Sequence, residues 1–291
     1  MKKCALFSIL LIGIILTGCE GSSSANGEVL RIGLSLDESN PNAGLANDDF
    51  IDALEAYIEM PVEVIEDVTY LIGIEAMRAG NLDMMFASSF NYIQARAAVD
   101  VEILATLNPP TDTVTYFLTR ADSDIYTLAD FEGRTFAFVN ESSTSGFLFP
   151  AYDLITEFNL DATQLTAPGH FFGTTIMSGG HDNSLIGLSH GDFDGAAVVD
   201  IMVERLHESG VINRDDFRIV GTTRPHPAPS YIVRSALDEA LITQLRSFLL
   251  TYDNPSFFEV LWDDATVRFS EPDIEGYEYV ESVARTLGIG Q

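Results

Sequence analysis

The sequence predicts an α/β protein of two lobes, each a mostly parallel sheet flanked by helices, joined by two chain crossings. Three observations predict it. Short runs of β-formers alternate with helix-period segments from Val29 to Leu107, the pattern of a parallel sheet covered on both faces. The alternation restarts after Thr115 and continues to Val220. A proline-stiffened segment, with Pro225, Pro227 and Pro229, then leads into a strand at Tyr231–Arg234 that reads as a return to the first unit.

With 291 residues the chain has room for two domains of ordinary size, and 46% hydrophobic residues suit globular cores. The N-terminus reads as a targeting segment. Lys2 and Lys3 precede an apolar run, Ala5–Leu16, too short to span a membrane comfortably. Leu16-Thr17-Gly18-Cys19 looks like a bacterial lipobox, which predicts cleavage before Cys19 and a lipid on its sulfur. A plain secretory signal or an uncleaved anchor is the competing reading. Glu20–Gly27 then reads as a flexible tether. The two cysteines are Cys4 and Cys19, so the mature chain is expected to lack a disulfide and to rest on its hydrophobic core.

The formal charge is −29, and loss of Lys2 and Lys3 makes the mature side chains two charges more negative. This argues against nucleic acid as a partner, which needs basic patches. The global field also repels anions, so an anion site here must rest on local dipoles and neutral donors. A salty habitat is another source of such acidity.

In chain order, Val29–Leu34 is the first expected strand, and Asn47-Asp48-Asp49 caps a helix through Tyr57. Val62–Ile65 is a strand, and Thr69–Ala79 a helix that Gly80 ends. Leu82–Phe86 is a strand, a helix runs from about Tyr92 to Val99, and Glu102–Leu107 is a strand. Thr115–Thr119 is a strand that leaves the first unit, and Leu128–Gly133 a short helix and turn. Arg134–Val139 alternates and is rich in β-formers. Phe147–Phe158 has helical spacing, with Phe147, Ala151, Leu154, Ile155 and Phe158 on one face. Phe171–Met177 is ambiguous. Asp182-Asn183 caps a helix to His190, Gly195–Val199 is a buried strand, Ile201–Ser209 a helix and Phe217–Val220 a strand. Helices at about Leu237–Tyr252, Ser256–Leu261 and Tyr277–Leu287 finish the chain. The expected organisation is therefore a signal peptide (1–18), an acylated cysteine and tether (19–28), one lobe from 29–117 with 225–291, and a second from 118–224.

In open α/β sheets, ligands sit outside the C-terminal ends of the strands, here in the cleft between the lobes. The loops at those ends are Asp67–Tyr70, Ala87–Tyr92, Asn140–Gly146 and Val199-Asp200. The third, Asn140-Glu141-Ser142-Ser143-Thr144-Ser145-Gly146, joins a strand to a helix. Such a loop gathers free backbone N–H groups, the positive helix end and rotatable hydroxyls at one spot. That chemistry holds a small oxyanion without a lysine. An ordinary Ser/Thr helix cap is the competing reading.

With these loops in place, the sequence resembles the PhnD-type substrate-binding proteins of phosphonate, phosphite and phosphate ABC transporters, over most of the mature chain. VTYLIGIEAMRAGNLDM (68–84) is similar to the family's tyrosine, helix and Gly-x-Leu-Asp strand entry. SFNYIQA (89–95) is similar to its second tyrosine segment. DSDIYTLADFEGRTFAFVNESSTSG (122–146) leads into its Ser-Thr-Ser-Gly loop, and GGHDNSLIGLSHGDFDGAAVVD (179–200) resembles its His-Asp segment and the strand that follows. The order and spacing of these motifs carry the resemblance. The second crossing departs from it: relatives often have Trp-Ser and a Pro-x-x-Pro segment where this chain has Thr222-Thr223-Arg224-Pro225-His226-Pro227. That leaves open which phosphorus oxyanion is bound, and Arg224 is an unusual cation near the hinge.

The resemblance implies a type II periplasmic-binding-protein-like fold and a set of ligand contacts. Ser143, Thr144 and Ser145 would donate hydroxyls and N–H groups to ligand oxygens. Tyr70 and Tyr92 would each donate an O–H and wall off a small ligand, with plain packing the alternative. His181 follows Gly179-Gly180 and would reach the oxyanion. Protonated it adds charge, and neutral it still donates one N–H. Asp182 caps its helix or orients His181. Asp200 ends a buried strand at the cleft and would read a P–OH or an amine on the ligand, or simply cap the next helix. His170, His190, His207 and His226 read as surface residues.

Gly187-Leu188-Ser189-His190-Gly191 matches the Gly-x-Ser-x-Gly nucleophile pattern, but it ends a helix and precedes a strand, the reverse of what that elbow needs. No metal is expected, since Asp192, Asp194 and His181 fit no usual ligand spacing. No cofactor and no catalysed reaction are expected either. The resulting expectation is a monomeric, extracytoplasmic, lipid-anchored protein that captures a small phosphorus oxyanion between its lobes and delivers it to an ABC permease. The alternatives are another small oxyanion or a sulfonate, a ligand-presenting partner of a membrane sensor kinase, and a cleft hydrolase.

Overall fold

The computed structural model describes residues 29–34, 43–66, 68, 70–108 and 113–289, with only the backbone of Tyr70. The signal segment, Cys19 and the tether lie outside the described residues.

The first part of the chain alternates β1 (Leu30–Gly33), α1 (Ala43–Ile58), β2 (Val62–Ile65), α2 (Tyr70–Arg78), β3 (Met84–Ala87), α3 (Ser89–Ala98) and β4 (Val101–Asn108). The second part holds β5 (Thr115–Arg120), β6 (Thr135–Phe138), α4 (Phe149–Phe158), β7 (Thr174–Met177), α5 (His181–His190), β8 (Gly195–Val199), α6 (Asp200–Glu208) and β9 (Phe217–Thr222). The chain then returns through β10 (Ser230–Arg234), α7 (Glu239–Thr251), α8 (Pro255–Trp262), β11 (Arg268–Ser270) and α9 (Ile274–Thr286).

Among the described residues the strands form a six-stranded sheet, β11-β4-β10-β3-β1-β2, and a five-stranded one, β7-β6-β8-β5-β9. The two-lobed α/β architecture expected from the sequence is present. Most strands of each sheet share one direction, but the strands delivered by the crossings run the other way. β10 pairs antiparallel with β3 and β4, and β5 pairs antiparallel with β8 and β9. The ladders are therefore mixed. The whole of β5, from Thr115 onward, pairs in the second sheet. The crossings touch where His226 N–H donates to the Thr113 carbonyl at 3.1 Å.

Packing explains where helix starts differ from expectation. α1 begins at Ala43, because Ala43, Ala46, Phe50, Ile51, Leu54 and Ile58 form one buried face. Asn47 is thus inside the helix and does not cap it. α3 begins at Ser89, capped by Ser88, whose side chain accepts from Asn91 N–H at 3.2 Å. α5 begins at His181 with Gly180 at the cap position, so Asp182 lies in its first turn and is not the cap. Phe171–Met177 resolves into β7, and β11 is a short edge strand the sequence reading did not include.

Asp83, which closes the Gly-x-Leu-Asp motif, is only 3% exposed. Its carboxylate accepts from Arg31 Nε at 2.9 Å and Nη2 at 3.0 Å, and from Arg234 at 3.3 Å, tying β1 and β10 to the start of β3. Truncating Arg31 would leave the buried carboxylate with the longer Arg234 contact as its remaining arginine partner, and would weaken the tie between β1 and β3. The lobes share one continuous apolar cluster along one side. Phe90, Ile93 and Tyr277 of the first lobe pack with Phe138, Phe147 and Phe149 of the second. This shared core fixes one edge of the cleft and leaves the opposite edge as its mouth.

Candidate functional site

The site is built on the loop after β6. Ser143 Oγ accepts the Gly146 N–H at 3.0 Å, so this serine acts as the cap. A Cβ on residue 146 would lie 2.3 Å from Val139 Cβ, so only glycine lets the loop fold back on the strand end. One turn of π-helix, Thr144–Leu148, follows and leads into α4. The first N–H groups of such a turn have no partner within the helix, and Ser143 takes up that of Gly146.

Thr144 is buried, 4% exposed, and faces the first lobe. Its Oγ1 accepts the Phe90 N–H at 2.9 Å and lies 3.2 Å from Ser89 Oγ. The neighbouring Ser142 takes part in the same junction, its carbonyl accepting from Asn91 Nδ2 at 3.4 Å and its Oγ from Gln94 Nε2 at 3.2 Å. Ser145 faces the other way. Its carbonyl accepts from Thr115 Oγ1 at 2.9 Å, and its Oγ lies 2.9 Å from His181 Nε2.

The tautomer of His181 follows from its second contact. Nδ1 accepts the Val199 N–H at 3.2 Å, so the ring proton sits on Nε2 and is donated to Ser145 Oγ. Burial, with a smaller contribution from nearby His226, lowers the pKa of His181 to about 3. Of the two forms expected from the sequence, burial favours the neutral ring, which still donates one N–H. Asp200 is the first residue of α6. Its Oδ1 accepts the Ile201 N–H at 2.9 Å, and its own N–H donates to the Val114 carbonyl at 3.0 Å. Burial and the charge of Glu204 raise its pKa, and these backbone contacts oppose the rise.

A cavity of about 490 Å³ lies between the lobes. Ser88, Ser89, Thr144 and Ser145 line it, with Thr113 and His226 beside them. Asp200, Glu204 and Glu208 of α6 line it too, with Asp263 and Asp264 across the gap. Glu208 lies roughly 12 Å along α6 from Asp200. The cavity is therefore graded, with neutral hydroxyls by the β6 loop and carboxylates toward the far end of α6. An anion is favoured only at the hydroxyl end. A second cavity, about 520 Å³, adjoins the first and shares Val199, Ile201, Arg205, Pro229 and Trp262 with it. Gly180 and His181 line the second.

Arg205 of α6 crosses the mouth. It donates from Nε to Asp263 Oδ2 at 2.6 Å and from Nη2 to the Leu261 carbonyl at 2.6 Å, both at the end of α8. With the Thr144 junction on one side and Arg205 on the other, the lobes are bridged on both sides of the cleft.

Of the residues expected in the site, Thr144, Ser145 and Asp200 line the first cavity, and His181 touches Ser145 from the second. Ser143 lines neither and serves as a cap. Tyr92 lines neither cavity. In the first turn of α3, it faces α9, meeting Tyr277 edge-on at 5.3 Å with Arg96 5.5 Å over its ring. Tyr70 opens α2, and its side chain lies outside the described residues, as does Cys19. His170, His190 and His207 are exposed, but His226 is a cavity wall packed 5.4 Å from the Phe149 ring, which corrects its reading as a surface residue. Arg224 is exposed, 5.6 Å over the Tyr279 ring, and lines neither cavity. Ser189 is exposed and donates to the Ile186 carbonyl at 2.7 Å, as a serine near a helix end does. Sequence reasoning placed Ser88 and Ser89 in a cleft loop without assigning them a contact, and it missed Thr115 and Arg205. The Ser88-Ser89 pair ahead of a helix was a readable cap signal, whereas nothing local marks Thr115 or Arg205.

Comparison with known proteins places this geometry in a family. Residues 32–277 match the family described as "ABC transporter, phosphonate, periplasmic substrate-binding protein". The phosphate-import protein PhnD of Mycolicibacterium smegmatis is 27% identical over 268 residues, covering 85% of this chain and 81% of that protein. The probable ABC transporter phosphite-binding protein PhnD1 of Prochlorococcus marinus is 21% identical over 277 residues, covering 90% and 91%. The solved structure of PhnD1 from Prochlorococcus marinus, a complex with methylphosphonate, superposes with a TM-score of 0.75 at 19% identity, covering 89% of this chain and 98% of that one. That likeness gives the fold. With the match extending over most of its length, the chain belongs to the periplasmic substrate-binding proteins of phosphonate ABC transporters.

Proposed function

We propose that this protein captures a small phosphorus oxyanion, a phosphonate, phosphite or phosphate, in the interlobe cleft and presents it to the permease of an ABC importer. The observation that carries the reading is the contact of Ser145 with His181 beside Thr144, at the hydroxyl end of the cavity. Three neutral donors and a helix start converge there, which is how a strongly acidic protein can hold an anion. Family membership and the printed functions of the relatives support the same ligand class. In this reading Ser145 and Thr144 contact ligand oxygens, His181 Nε2–H passes from Ser145 Oγ to a ligand oxygen when the ligand is bound, and Asp200 meets a protonated oxygen or an amine. Tyr70 is a further contact, carried by the family resemblance alone.

The protein acts as a monomer, without catalysis, by closing its lobes on the ligand about the crossings near 113–115 and 222–229. It is held at the membrane by a lipid on Cys19 after removal of residues 1–18, with 19–28 as tether. Calorimetry against phosphate, phosphite, methylphosphonate and 2-aminoethylphosphonate tests the reading. Binding of at least one in the micromolar range or tighter is expected. Failure to bind any of them refutes it.

A further inference from the structure

The second cavity has a chemistry of its own. Asn47, only 5% exposed, lines it from α1. Its Nδ2 is buried and has no hydrogen-bond partner among the described residues. Leaving such a donor unpaired costs about 1–3 kcal/mol, a cost that an acceptor entering the cavity would recover. Asp182 and Asn183 line the same cavity at the start of α5, where Gly180 supplies no side-chain cap. Three aromatic residues complete the wall: Phe86, which packs 5.2 Å from Tyr231 and 5.9 Å from Trp262. Arg205 also reaches this cavity, but it is held by Asp263 and the Leu261 carbonyl.

We infer that this cavity is a second subsite of the cleft, which takes an uncharged, hydroxylated R group on the phosphorus ligand, with Asn47 as its specificity-determining residue. The inference rests on the reading of Ser145 and His181 as the oxyanion seat. His181 joins the two cavities, since it bonds Ser145 in one and lines the other, so the substituent of an oxyanion seated there has the cavity lined by Asn47 beside it. The substituent's class follows from the lining. A carboxylate would face Asp182. An ammonium would be drawn to Asp182 but would leave the Asn47 N–H without an acceptor. A hydroxyl both donates and accepts, and its carbon chain packs on Phe86, Tyr231 and Trp262.

A three-carbon series that differs only in its polar group tests this: propylphosphonate, 2,3-dihydroxypropylphosphonate, 3-aminopropylphosphonate and 3-phosphonopropionate, measured by calorimetry. The diol is expected to bind the wild-type protein at least tenfold tighter than each of the others. Asn47→Leu is expected to reduce the diol-to-propyl affinity ratio by about tenfold. Tighter binding of the amine or the carboxylate, or equal binding of all four, overturns the subsite while leaving the oxyanion seat intact. An unchanged ratio in Asn47→Leu removes Asn47 from it. The wild-type ranking needs no variant and decides the matter should Asn47→Leu misfold. If the wild-type protein binds none of the four and none of the simple oxyanions, the proposed function falls and the subsite with it.

Discussion

The clasp at the cleft mouth gives the sharpest quantitative expectation. Arg205 and Asp263 come from different lobes, and both meet water when the lobes part. Their bond therefore stabilises only the closed form, and removing it weakens ligand binding without touching the ligand's seat. Arg205 is well covered, with its side chain 15% exposed, whereas Asp263 is 41% exposed. A hydrogen bond to a charged group contributes about 1.5–3 kcal/mol, and the solvent at Asp263 places this one near the bottom of that range. Asp263→Asn keeps an acceptor and suits the left-handed backbone there, at φ 55°, so it removes only the charge. It should cost about 1 kcal/mol, roughly a fivefold rise in Kd. Arg205→Met keeps the apolar stem but loses the bonds to both Asp263 and the Leu261 carbonyl. It should cost about 2 kcal/mol, roughly a thirtyfold rise, expressed mainly as faster release. Calorimetry and stopped-flow release, with whichever simple oxyanion binds best, measure both. High salt should shrink the gap between wild type and Asp263→Asn, because a half-exposed pair is screened. If both variants bind like the wild type at low salt, the clasp does not hold the cleft closed.

Three further outcomes are expected. Ser145→Ala should weaken oxyanion binding by about one to two decades through loss of one hydrogen bond to a charged group, and Thr144→Val by a similar amount through the orphaned Phe90 N–H; titration calorimetry with wild-type affinity in both would reduce the loop to a helix cap. On acidification, His181 and His226, lowered by burial to about 3 and about 4 from 6.5, resist protonation in the folded state while the unfolded chain takes up protons, so stability falls as pH drops from about 6.5 toward 4. Asp153, raised by burial to about 6, opposes this below pH 6, and urea unfolding of His226→Gln should show a pH 7-to-5 loss smaller by about 1–2 kcal/mol than wild type. Cys19→Ser should abolish incorporation of labelled fatty acid and release the protein from the membrane; equal labelling of the variant would remove the lipid anchor.

Much of the fold was legible because buried strands announce themselves. Runs such as Gly195–Val199, buried throughout, leave little choice of partner or face. The hydroxyl loop was legible because Ser-Thr-Ser-Gly between a strand and a helix has few uses. The misread residues failed for local reasons. Asn47-Asp48-Asp49 has the composition of a cap, yet the apolar stripe that fixes α1 begins at Ala43, so tertiary burial overrode the cap signal. Tyr92 was read as a helix-opening residue at a strand end, but it lies inside the first turn of α3 on the side that packs against Tyr277 of α9, a contact nothing local in the sequence marks. His226 sits between two prolines and looks exposed, but the meeting of the two crossings encloses it. Arg205 and Asp263 are 58 residues apart, and no periodicity links charges that meet only when two lobes do.

The strands carried by the two crossings are not placed at sheet edges. β10 lies between β3 and β4, and β5 between β8 and β9. The second sheet draws all its strands from the unbroken segment Thr115–Thr222, so that lobe can complete its folding as the chain emerges. The first lobe cannot. Until Ser230–Arg234 arrives, β3 and β4 are facing edges with no strand between them, open to mispairing. The topology thus predicts an order of assembly, second lobe before first, with insertion of the five-residue strand Ser230–Arg234 across a large loop as the expected slow step. Truncation between Thr222 and Ser230 should leave the second sheet complete and the first lobe as an aggregation-prone remnant.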